Sequence, residues 1–106
     1  MNEFENNPLD LLASVEAEQN IIGGLLIEPT AMAKCRNLTA EKFYQVRHRI
    51  IFAALKAMAA ENLPIDVVTA HERLENIGEE ENAGGFNYLI TLAQNTPSAA
   101  NIRRYA

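Results

Sequence analysis

One cysteine stands in the 106 residues, Cys35, so no intramolecular disulfide is possible and a reducing compartment is the simplest reading. A lone cysteine of this kind is read as a small buried hydrophobe. No apolar run approaches the roughly 18 residues of a membrane helix, and no basic-plus-apolar leader opens the chain. A cytoplasmic domain with no membrane partner is the expectation. Neither GxxxxGK[ST] nor GxGxxG occurs, which removes the usual phosphate cradles, and no HExxH or CxxC spacing supports a metal centre. Positive charge is also short, with nine Lys and Arg against fourteen Asp and Glu for a net charge of −5. That balance disfavours general nucleic-acid binding, which needs accumulated positive charge.

What is present is ordinary globular material. Apolar residues make up 48% and charged residues 22%, enough for one core without a metal or disulfide staple. Charge is unevenly spread. Lys34, Arg36, Lys42, Arg47, Arg49 and Lys56 face only Glu41 in their stretch, a local +5, which leaves −10 for the remainder. Such a basic stretch suits an acidic protein surface or is simply a solvated face.

The apolar spacing predicts helices throughout and alternates nowhere with period two. Residues 1–13 read as a flexible leader. The first helix is expected over Val15–Ile27, with Ser14 as N-cap and Glu16 and Glu18 at its positive end. Short helical turns are expected over Thr30–Cys35 and, capped by Thr39, over Ala40–Tyr44. The central helix spans Val46–Glu61. Asp66 caps a helix over Val67–Ile77, closed by Gly78, with Val67, Ala70, His71, Leu74 and Ile77 as its stripe. Gly84-Gly85 leads into a helix over Phe86–Gln94. Thr96-Pro97 ends that helix, and Ser98 caps a further one carrying Ile102 and Tyr105. The fold expected is a compact all-α bundle of five or six helices, and the unfinished last helix reads as a domain cut from a longer protein.

Several residues are candidates for chemistry. His71 lies on an apolar stripe and reads as a core histidine, while His48 sits among arginines that disfavour a cation. No catalytic residue, cofactor ligand or metal ligand is assigned. Gly23-Gly24 inside a helix costs about 1 kcal/mol per glycine relative to alanine, so close approach of another backbone is the expected compensation. On the last full helix, Phe86, Leu89, Ile90 and Ala93 form the predicted core stripe. Tyr88 and Leu92 then make a second apolar patch, a candidate protein-binding anchor that the next helix would otherwise cover. On this reading Phe86→Ala opens a core cavity and Tyr88→Ala leaves the fold intact.

Glu16-Ala17-Glu18-Gln19 with Gly23-Gly24-Leu25-Leu26 resembles the opening motif of the N-terminal domain of DnaB-type replicative DNA helicases. Phe43-Tyr44 with His48-Arg49-Ile50-Ile51-Phe52 is similar to that family's second motif, and Pro64-Ile65-Asp66 with Thr69 and Leu74 to its third. Gly84-Gly85-Phe86, Tyr88-Leu89 and Asn95-Thr96-Pro97-Ser98-Ala99-Ala100-Asn101-Ile102, with Tyr105-Ala106, resemble the fourth. The order is right from Ser14 to the end, so residues 14–106 are taken as the domain. The proline that usually precedes the first motif is missing, and Ala83 replaces a bulkier residue.

The resemblance implies the head of an N-terminal collar in a hexameric ring. It implies other helicase subunits, the helicase-binding domain of primase and a helicase loader as partners. ATP, Mg and single-stranded DNA translocation belong to a RecA-like ATPase domain absent from these residues. The domain alone is then non-catalytic, and a monomer or weak dimer. Two other readings stay open: a phage or plasmid adaptor or inhibitor that mimics the collar, and a nucleic-acid-binding module using the basic stretch.

Overall fold

A computed structural model describes residues 8–96, with side chains over 15–96. Four α-helices and two 3-10 segments follow one another, with no strand among the described residues. Helix α1 spans Pro8–Ile27, α2 Val46–Ala60, α3 Val67–Asn76 and α4 Gly85–Asn95. The 3-10 segments Pro29–Cys35 and Ala40–Lys42 lie between α1 and α2. The all-α expectation is met. The predicted helix capped by Ser98, with Ile102 and Tyr105, lies outside the described residues.

The first helix begins earlier than expected, at Pro8, and Ser14 lies inside it. Proline suits the first turn of a helix, where its missing N–H has no intrahelical partner to lose. The consequence is that Glu18 sits in mid-helix rather than at a helix start. Asp66 does cap α3, accepting from the Thr69 amide at 2.8 Å, while the Thr69 hydroxyl accepts from the Asp66 amide at 2.8 Å. This reciprocal box satisfies two donors that a helix start otherwise leaves open. Helix α3 stops at Asn76, so Ile77 leaves the predicted stripe and is exposed.

The core is built from Ile22 and Leu25 of α1, Phe52 and Leu55 of α2, Leu74 of α3 and Leu89 of α4. Phe43 packs against Phe52 with ring centroids 4.8 Å apart and planes tilted by 35°, at the entry to α2. Cys35 is buried as expected, and desolvation pushes its thiol above the ordinary value despite the opposing charge of Lys56. Helix α4 lies along α1, and Gly23 is where they meet. A Cβ on Gly23 would lie 3.0 Å from the Leu92 carbonyl carbon, and nearer still to its oxygen and to the Thr96 hydroxyl. The compensation expected for this glycine is therefore present: the backbones touch.

That contact rotates α4 relative to the predicted stripe. Leu92 is 3% exposed, a core residue on the side facing α1, and not a surface anchor. Phe86 is 37% exposed, its ring against His71 with centroids 4.6 Å apart. The core-cavity argument for Phe86→Ala therefore does not hold. The inward side of α4 runs Tyr88, Leu89, Leu92 and on to Thr96.

Candidate functional site: a buried Glu–His–Tyr chain

Three polar residues from three helices meet at the start of α2. His48 is 0% exposed, and its Nδ1 lies 2.7 Å from Glu18 Oε1. A carboxylate can only accept, so Nδ1 carries the hydrogen. In the neutral ring Nε2 is the bare acceptor, 2.5 Å from the Tyr88 hydroxyl that then donates to it. The Gln19 amide reaches the same hydroxyl oxygen at 3.4 Å. Glu18 also accepts from the backbone amides of Tyr44 and of Gln45, the latter at 3.3 Å. Gln45 is the N-cap of α2 and makes no side-chain cap of its own. Glu18, reaching across from α1, supplies the negative charge that the positive end of α2 lacks locally.

Burial pushes the pKa of His48 below its ordinary value. The hydrogen bond and charge of Glu18 oppose that shift, and the charge of Arg47 adds to it. Arg47 covers the outer side of the chain, its guanidinium 4.2 Å from the centroid of the Tyr88 ring. An acid–imidazole–hydroxyl array resembles catalytic arrangements, but here its members are spent on one another and on the α2 amides. A general base needs a free lone pair within reach of a substrate proton, and His48 offers neither a free lone pair nor exposure. The array is architectural.

Tyr88 is thus half-buried and tied to the core at its hydroxyl, which the predicted patch with Leu92 did not foresee. The surface beside it is apolar and basic: Tyr44 is 55% and Val46 61% exposed, in the same segment as Arg47. Other charges of the basic stretch are engaged internally. Arg49 donates to the Phe43 carbonyl at 2.7 Å and Lys56 to the Leu38 carbonyl at 2.9 Å. These contacts leave fewer cations to track a phosphate backbone, against the nucleic-acid reading.

Two further features fall short of a site. An open groove of about 320 Å³ between α1 and α4 is lined by Glu16, Gln19, Asn20, Leu92, Asn95 and Thr96, and the Thr96 hydroxyl there is spent on the Leu92 carbonyl. His71, Glu75 and Glu80 place potential ligand atoms within 4.8 Å of one another. Metal-bound imidazole ordinarily donates its second N–H to an acceptor. Nδ1 of His71 is buried with no hydrogen-bond partner, so that support is lacking.

Residues 10–106 match the family described as DnaB-like helicase N terminal domain. The chain belongs to that family. It is 40% identical over 94 residues to the replicative DNA helicase DnaB of Pasteurella multocida, covering 88% of this chain and 20% of that protein. It is 38% identical over 99 residues to the replicative DNA helicase DnaB of Buchnera aphidicola, covering 92% of this chain and 21% of that one. The chain thus spans about a fifth of these curated relatives. Among solved structures, the N-terminal domain of DnaB helicase from Mycobacterium tuberculosis superposes with a TM-score of 0.82 at 33% identity, covering 86% of this chain and 67% of that one. The fold of the DnaB N-terminal domain is therefore the fold described above. Glu18 falls in the first motif of the resemblance, His48 in the second and Tyr88 in the fourth, so the buried chain joins segments that the sequence presented separately.

Proposed function

We propose that this chain works as the non-catalytic N-terminal assembly and docking domain of a hexameric replicative DNA helicase. In that role it contributes to the ring's collar and helps to recruit primase, with a loader as a further partner. Residues 14–106 form the working unit. The observation that carries the reading is the match to replicative helicases along nearly the whole chain. ATP, Mg and movement along single-stranded DNA are then the work of a RecA-like domain elsewhere in the parent. The chain by itself should neither hydrolyse ATP nor unwind DNA. A coupled ATPase assay with and without single-stranded DNA checks this, and DNA-stimulated turnover by clean protein would overturn the assignment.

Tyr88 stays in the proposed docking surface as the partly buried floor beneath Arg47, with Tyr44 and Val46 as its exposed rim. Aromatic and arginine side chains are the usual anchors of protein interfaces. Tyr44→Ala in the full-length parent is expected to weaken primase binding by roughly 1–3 kcal/mol, the range of a moderate hot spot. Calorimetry against the helicase-binding domain of primase reads it. The melting temperature should stay in place because the Tyr44 side chain is largely in solvent. Unchanged binding would remove this surface from the docking role.

A further inference from the structure

The buried chain has a property that assembly and docking do not require. Its hydrogens fit one protonation state. With His48 neutral, Nδ1–H serves Glu18, the Tyr88 O–H serves Nε2, and Gln19 serves the Tyr88 oxygen. Every donor has an acceptor. Adding one proton to Nε2 places two hydrogens between His48 and Tyr88. The phenol oxygen must then accept from Nε2–H as well as from Gln19, and its own hydrogen loses the acceptor it had. The groups that bear on the imidazole are Glu18 from α1, Tyr88 from α4 and Arg47 on α2 itself. Glu18 favours the added proton and keeps its hold on Nδ1. Arg47 opposes it and lies over the Tyr88 ring, so the strain falls on the Tyr88 end.

We propose that His48 is a proton-sensitive latch on α4, holding Tyr88 when neutral and loosening α4 from the start of α2 when protonated. The latch depends on the geometry of these three helices and not on what docks beside them. The sign follows from burial. Since the folded environment lowers the affinity of His48 for a proton, closure is favoured above the free imidazole value of about 6.5 and weakens as pH falls below it. For each pH unit below that value, an opened state with a free imidazole gains by at most about tenfold.

The test is amide exchange and side-chain NMR on this chain at pH 7.5 and 5.5, with exchange corrected for its intrinsic pH dependence. Protection of the α4 amides over Gly85–Asn95 should fall at the lower pH, by up to about tenfold per pH unit below the free imidazole value. The Tyr88 ring signals should move with the same midpoint as the His48 imidazole, below about 6.5. His48→Gln should abolish the fall, and His71→Gln should leave it in place. Should His48→Gln not fold, the wild-type co-titration decides. Protection that does not change with pH, an imidazole titration to which Tyr88 does not respond, or an equal fall in His48→Gln would each overturn the latch.

Discussion

Glu18→Ala is expected to destabilise the fold by about 3–5 kcal/mol, because three buried or part-buried donors lose their charged acceptor at roughly 1–3 kcal/mol each. The substitution leaves His48 Nδ1–H and the amides of Tyr44 and Gln45 without their acceptor. It also removes the negative charge at the positive end of α2, worth up to about 2 kcal/mol in a partly buried setting and included in the total above. For a small domain with about 5–15 kcal/mol of stability in all, that is a large fraction. Urea denaturation followed by circular dichroism should show a lower midpoint with an unchanged slope. Glu18→Gln keeps the shape and one accepting oxygen and should lose less. A Glu18→Ala protein within about 1 kcal/mol of wild type would show that water serves these amides equally well.

Gly23→Ala should move stability against the helix-propensity scale. In an exposed helix interior the change gains up to about 1 kcal/mol. Here the new methyl would enter the α1–α4 contact, against the Leu92 carbonyl and the Thr96 hydroxyl. That hydroxyl is held in place by a 2.8 Å hydrogen bond to the same carbonyl. Backbone gives way far less readily than a side-chain tip, so α4 must shift as a unit. Overpacking of this kind costs typically 1–3 kcal/mol, and the upper end is expected because the obstacle is main chain. Thermal unfolding of the single variant checks the sign. A melting temperature equal to or above wild type would mean that the two helices are not in contact at this point.

Helix content, the Asp66 cap and the tight approach at Gly23 were all legible because each is written locally, in spacing, cap chemistry or a helix-disfavouring residue. The buried chain was legible in principle as well. Glu18 stands in the same helical register as Ile21, Ile22 and Leu25, and His48 in that of Ile51, Phe52 and Leu55. A charged residue in core register is a request for a partner. A start of α1 at Val15 hides this, because it puts Glu18 in the first turn, where the helix dipole alone accounts for an acid. The orientation of α4 was not legible. Its sequence offers two overlapping apolar arcs, one through Phe86 and one through Leu92. Which arc turns inward is decided by the glycine on another helix that lets α4 come close.

The cap on α2 also bears on the order in which the domain acquires its shape. Asp66 and Thr69 are three residues apart, so the start of α3 can be organised as soon as that short stretch exists. Glu18 and Gln45 are 27 apart, His48 and Tyr88 40, and these meetings require long loops to close first. A peptide containing α3 alone therefore keeps its start signal, whereas one containing α2 alone loses it. In the folding transition the first turn of α2 should mature late. Mutations at Glu18 would then act mainly by accelerating unfolding rather than by slowing folding.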